Sequence, residues 1–280
     1  MIKTSTGLKA NIRNLSGGDS DKAQYLIRNY MMERFLERIS LSKYGNNFIL
    51  KGGILVASVS GLDMRATMDI DASVKSLSLD KDFIRTVIEE IADIDVDDGI
   101  FFAVQSIIDI MADTDYQGVR LVIEASLDRL RQHIKIDIST DDVITPAAKE
   151  YSYKLMFENR YISLLAYNLE TLLSEKLETI ISRGIANTRM RDYYDVFIIL
   201  DENINDIDIS ILKQAFSATT LKRNSVITAS HMQDLLAEVH QDTSRKNDWD
   251  KYVDSNYYVL SLTWDDVMGK VIQLADIISK

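Results

Sequence analysis

A change of hydrophobic period along the chain constrains the fold more than any other feature. Before Pro146, several short stretches alternate apolar and polar residues at every second position; after it, apolar residues recur at every third or fourth. The first pattern fits strands with one buried face and the second fits amphipathic helices. Segments 48–50, 68–74, 101–111, 119–127 and 132–139 read as strands, with Tyr116-Gln117-Gly118 as a turn, and 21–43 and 80–92 read as helices. Strands and helices mixed in this way predict an α+β domain with a mixed sheet.

Pro146, the only proline, lies in the turn-like stretch Asp141 to Tyr153 near the midpoint and is the natural boundary between a domain 1–146 and a domain 147–280. Beyond it the spacing predicts helices over 168–183, 188–202, 208–217, 229–240 and 262–278, together a helical bundle. Asp19 or Ser20 suits the cap of the first long helix, and Asn187 or Thr188 the cap of the helix from 188.

Composition narrows the chemistry. With no cysteine there can be no disulfide, thiolate nucleophile or thiolate-held metal, and the three histidines, at 133, 231 and 240, have no metal-ligand spacing. The polar N-terminal stretch lacks the apolar run of a secretory signal, and no apolar run approaches the ~18 residues of a membrane span, so a cytoplasmic protein with no membrane contact is expected. A net charge of −11 repels nucleic acid at long range, so any such contact needs a local basic patch or a bridging cation.

In Met68-Asp69-Ile70-Asp71 the two carboxylates are one residue apart, so on a strand both point to one side while Ile70 points to the other. Asp137, in Ile134-Lys135-Ile136-Asp137-Ile138, holds a polar-face position on a second strand. If the strands are neighbours, three carboxylates converge, an oxygen-only set suited to Mg²⁺ or Mn²⁺. On its own the Asp-x-Asp pair is more often the solvent face of a sheet than a metal site. Upstream, Phe48-Ile49-Leu50 runs into Lys51-Gly52-Gly53 and an apolar helix, an arrangement that lets backbone amides approach a phosphate.

Taken together, Leu50-Lys51-Gly52-Gly53, Met64-Arg65-Ala66-Thr67-Met68-Asp69-Ile70-Asp71, the Ile-Asp-Ile strand, Ser174-Glu175-Lys176-Leu177, Arg183 and Arg191-Asp192-Tyr193-Tyr194-Asp195 resemble the AbiEii/AbiGii toxin family. That family has a nucleotidyltransferase fold of the DNA polymerase β type, and the resemblance spans roughly residues 20 to 200. It implies an N-terminal polymerase-β-like domain followed by the helical bundle. It also implies a nucleotidyltransferase toxin of a type IV toxin–antitoxin system, active in abortive phage infection. Asp69, Asp71 and Asp137 would hold the metal, and Lys176 and Asp192 would complete the catalytic set. Lys51, Gly52, Gly53, Arg65, Thr67, Lys176, Arg183 and Arg191 would bind the nucleoside triphosphate. The acceptor would be RNA, tRNA first, and the cognate antitoxin would act without a stable direct complex. Ile54 stands where many such enzymes carry Ser or Thr.

Residue chemistry fits those roles and leaves others open. Lys176 flanks the buried stripe Leu173, Leu177 and Ile180, where an ammonium could neutralise a departing pyrophosphate or simply pair with helical neighbours. Asp192 and Asp195 share a helix face, with Asp195 the more structural of the two. Arg183, Arg189 and Arg191 give a basic cluster, and Lys213, Lys222 and Arg223 a weaker one. A protein side chain or small molecule as acceptor, or a nucleotide-binding protein without turnover, remain the alternatives.

Overall fold

The computed structural model describes residues 1–61, 65–110, 118–259 and 261–280. Met64 of the motif, the end of the 101–111 stretch and Tyr116-Gln117 of the expected turn lie outside them. The chain divides into two compact units, one made of 1–58, 66–142 and 149–166, the other of 59–65, 143–148 and 167–280.

The first unit is a seven-stranded mixed sheet with helices on it. Helices α1 (Ser5–Ser16) and α2 (Ser20–Leu41) lead into β1 (Phe48–Lys51), α3 (Gly52–Ser60), β2 (Asp69–Val74) and α4 (Lys81–Ala92). Strands β3 (Ile100–Ile110), β4 (Gly118–Leu127), β5 (Leu130–Thr140), β6 (Lys149–Lys154) and β7 (Tyr161–Ala166) complete it, in the order β3-β4-β5-β2-β1-β7-β6. β2 runs parallel to β5 and β1 parallel to β7; the other neighbours are antiparallel. The strands expected from alternation are all present. β6 and β7 are additions, because a purely helical pattern is expected after Pro146. Their residues alternate too: in β7, Ile162, Leu164 and Ala166 are buried while Tyr161 is exposed. The stretches are simply too short to outweigh the helices that follow.

Alternation also fixes which side of the sheet is covered. Leu121, Ile123 and Ala125 of β4 and Ile134, Ile136 and Ile138 of β5 are fully buried, α2 packs on β5, and α4 packs on β3. α2 departs from a simple amphipathic stripe, since Glu33, Arg34, Glu37 and Arg38 are buried along with Tyr30, Met31 and Phe35. Most of these charges are paired: Arg38 grips both oxygens of Asp98 at 2.9 Å, Arg34 meets Glu37 at 2.7 Å, and Glu33 meets Arg34 at 3.2 Å and accepts from the Met156 amide at 2.6 Å, though burial still lifts its carboxyl to about 7. Asp19 caps α2, as the sequence predicts.

The second unit is helical: α5 (Leu169–Arg183), α6 (Met190–Asn203), α7 (Ile209–Lys222), α8 (Ala229–Gln241), α9 (Thr243–Ser255) and α10 (Trp264–Ser279). α9 is absent from the sequence expectation, its apolar content being low. The cap of α6 also differs: Arg189 holds the position without a side-chain bond, while Asn187, two residues earlier, accepts from the Arg189 amide. Among the described residues no helix is long and apolar enough to cross a membrane.

Candidate active site

In the first unit, β1 delivers Lys51 to a turn that only glycine can make. Gly52 has φ +63°, and a Cβ there would lie 2.1 Å from Oδ2 of Asp71. The next amide, Gly53 N, donates to that same Oδ2 at 3.3 Å. The glycine pair therefore lets the carboxylate of Asp71 sit against the first turn of α3, where unpaired amides favour negative charge. Ile54 is fully buried, so position 54 supplies packing rather than a hydroxyl.

Asp69 and Asp71 lie on one side of β2 and Ile70, fully buried, on the other. β2 and β5 are neighbours, with Asp71 opposite Asp137 and Asp69 opposite Lys135. The backbone thus brings the three acidic positions together on one face. Their side chains do not close around a common point: among the described residues no group of three or more His, Cys, Asp or Glu is arranged to hold a metal ion. Asp137 is instead paired with Arg120 of β4, opposite it in register, whose Nε and Nη2 donate to the two Asp137 oxygens at 2.7 and 2.6 Å. Those hydrogen bonds, with attraction from Asp137, Asp69 and Asp71 and against the opposing effect of burial, hold Arg120 above its ordinary pKa. Sequence reasoning misses Arg120. Its signal is present, since Val119 and Leu121 are buried and the residue between them must share the face of the carboxylates.

The donor set suits a hard divalent cation. All three candidates are carboxylates, and the half-exposed Asp69 side chain has no hydrogen bond or ion pair among the described residues. Asp71 shares its Oδ2 with Gly53, and Asp137 could join only by exchanging Arg120. Lys51 is committed elsewhere on this face: its ammonium donates to Ser139 Oγ at 2.7 Å and Asp142 Oδ2 at 2.6 Å. Burial by itself would raise the Asp142 carboxyl, but Lys51, Ser139 and Ser73 hold it below the usual range. Thr67 Oγ1 donates to the Asp69 carbonyl at 3.1 Å and fixes the entry to β2.

In the second unit the other signature forms a buried charge chain. Lys176 of α5 donates to Asp192 at 2.7 Å and to Asp195 at 2.7 Å, both on the first turns of α6. Asp192 also accepts from Arg189 at 2.7 Å, and Asp195 from Arg65 Nε at 2.6 Å. Asp195 is fully buried and Asp192 nearly so. Burial alone would raise Asp192, yet Lys176 and Arg189 outweigh it and hold it at about 2. The same balance, against Arg65 and Lys176, keeps Asp195 low; burial alone would lower Lys176, but the two carboxylates keep it raised and charged. Arg183 and Arg191 are exposed and carry no partner among the described residues. Arg223 is bound to Glu178, which leaves the weaker basic cluster of Lys213, Lys222 and Arg223 partly neutralised. Tyr193 and Tyr194 are core residues.

Residues 34–270 match the family model described as nucleotidyl transferase AbiEii toxin, type IV toxin–antitoxin system. Among solved structures, the chain is similar to JHP933 from Helicobacter pylori, at 14% identity with a TM-score of 0.56, covering 91% of this chain and 92% of that one. It is also similar to an H. pylori protein provisionally described as a nucleotidyltransferase, at 15% identity with a TM-score of 0.55, covering 91% and 95%. At such identity these likenesses show the fold. No curated protein matches the chain.

Proposed function

Because the chain belongs to the AbiEii nucleotidyltransferase toxin family of type IV toxin–antitoxin systems, we propose that it transfers a nucleotide from a nucleoside triphosphate to an acceptor hydroxyl on RNA, tRNA first, in a divalent-cation-dependent reaction. The observation that carries this reading is the placement of Asp69, Asp71 and Asp137 on one face of β2 and β5, beside the Gly52-Gly53 turn into α3. Asp69 and Asp71 would hold Mg²⁺ or Mn²⁺, with Asp137 joining as Arg120 lets go. A cation bound there would polarise the attacking hydroxyl and offset the charge on the leaving pyrophosphate.

The chain's own part is to bind and orient. The hydroxyl oxygen forms a bond to the α-phosphorus, the bond to the bridging oxygen breaks, pyrophosphate leaves, and the hydroxyl proton passes to a carboxylate or to water. Amides at the start of α3 offer partial positive charge to the phosphates. Gly52 keeps Asp71 in place, and Thr67 steadies the strand that carries the pair. In the second unit the family resemblance gives Lys176, Arg183 and Arg191 to phosphate charge; Arg183 and Arg191 are exposed, whereas Lys176 already holds Asp192 and Asp195. Growth arrest, relieved by an antitoxin that need not bind stably, and protection against phage are the biological outcomes of this reading, in the cytoplasm.

The test is incubation of the protein with labelled nucleoside triphosphates, Mg²⁺ or Mn²⁺, and separate pools of RNA, protein and small metabolites. Label should move to RNA and should not do so with Asp69→Asn/Asp71→Asn of unchanged circular dichroism. Transfer that survives in that variant refutes the site. Label on protein or a metabolite refutes the acceptor. Engagement of both Asp137 oxygens by Arg120 favours a second reading, nucleotide binding without turnover; bound nucleotide with no label moved to any pool would establish it.

A further inference from the structure

The face that carries the three carboxylates continues across β5, β4 and β3, half-buried on β4 and exposed at positions of β5 and β3. Residues two apart on a strand project from the same side about 6.6 Å from one another. From Asp137 back along β5 the positions on that side are Lys135, His133 and Arg131, all exposed, ending about 20 Å from the carboxylates. Lys135 stands opposite Asp69 in register yet has no hydrogen bond or ion pair among the described residues. The side chain of His133 is 63% exposed and that of Arg131 51%; Glu124 meets them only loosely, at 3.9 and 3.6 Å, and Arg131 Nη1 also donates to the Asp128 and Leu130 carbonyls at 2.6 and 3.1 Å. Register then leads from Arg131 to Ser126 on β4 and on to Phe101 on β3, a residue 75% exposed. A bulge between Val104 and Ser106 returns Ser106 and Ile108 to the same side.

Two cations, Lys135 and Arg131, with an imidazole donor between them and an exposed aromatic residue nearby offer what single-stranded nucleic acid requires: charge along its backbone and a flat surface under a base. We propose that the open face of β3, β4 and β5 is the track for the single-stranded end of the RNA acceptor, a deepening that rests on the function proposed above. Lys135 binds the phosphate nearest the carboxylates, Arg131 and His133 bind phosphates further along, and Phe101 stacks on a base.

The probe is a short fluorescein-labelled single-stranded RNA, its affinity for the full chain read by anisotropy over a range of salt. Lys135→Gln and Arg131→Gln should each reduce the slope of log affinity against log salt by about 0.7, as expected for one cation on a single strand. Phe101→Ala should weaken binding about 5- to 150-fold with the slope unchanged. Lys154→Gln, on β6 at the far edge of the sheet, is the control for loss of charge alone and should leave the slope as it is. All four positions are exposed, and circular dichroism checks the fold. Wild-type protein that binds no RNA with salt dependence, as a face built for a protein partner would behave, overturns the proposal; so do three variants indistinguishable from Lys154→Gln. RNA binding that the variants weaken, in a protein that transfers label to no acceptor, supports this face while the proposed reaction fails. Transfer to RNA that is unchanged in all three variants removes the track and leaves the reaction standing.

Discussion

Asp195 tests how the second unit is held together. It is fully buried and accepts from two cations, Arg65 at 2.6 Å and Lys176 at 2.7 Å. In Asp195→Leu, Lys176 keeps Asp192, but the buried guanidinium of Arg65 loses the carboxylate it donates to. Removing one partner of a buried ion pair costs about 3–5 kcal/mol, because the remaining charge stays desolvated. That is a large part of the ~5–15 kcal/mol that stabilises a typical protein. Taking ~2–4 °C per kcal/mol, the thermal midpoint of this unit should fall by roughly 6–20 °C. Arg65→Met in the same chain removes the cation that Asp195 matched, so the double variant should be more stable than Asp195→Leu alone, with a coupling above ~1 kcal/mol. Urea and thermal unfolding followed by far-ultraviolet circular dichroism give both quantities. A loss below about 1 kcal/mol for Asp195→Leu, the size of an exposed pair, would refute the argument, as would a double variant whose losses simply add.

Gly52→Ala places a Cβ where Asp71 Oδ2 now sits, in a left-handed conformation that disfavours alanine. Nucleotide transfer should fall at least about tenfold, with a loss of about 1–3 kcal/mol in unfolding; an unaffected transfer rate would show that the placement of Asp71 is irrelevant. Asp192, held at about 2 against an ordinary 3.8, stabilises the folded state above the higher value and ceases to do so as pH falls through the lower. Stability should therefore decline from about pH 5 towards pH 2 by about 2 kcal/mol for this group, and the decline should shrink in Lys176→Met; titrated unfolding would contradict this if the slope were unchanged. Arg120→Gln should leave stability within about 1 kcal/mol, the pair with Asp137 being partly exposed. It should tighten Mn²⁺ binding by calorimetry, and weaker binding would show that Arg120 organises the carboxylates rather than competing for Asp137.

Strand by strand, the sequence determined which residues share a side. The two-residue period places Asp69 with Asp71 and separates them from Ile70, and the same rule applied to β4 and β5 sets Arg120, Lys135 and Asp137 apart from their buried neighbours, because side-chain direction is a local property of extended backbone. The glycine pair, the helical spacing of 168–183 and the motif residues were equally legible. Which strand lies beside which was not. The parallel pairing of β2 with β5, the addition of β6 and β7 beyond Pro146, the bond that ties Asp137 to Arg120, and the chain from Arg189 through Asp192, Lys176 and Asp195 to Arg65 join residues as much as 130 positions apart. No local pattern records such pairings, since they arise from how elements pack. Only the tertiary structure decides which carboxylates stay available and which are already matched by a cation.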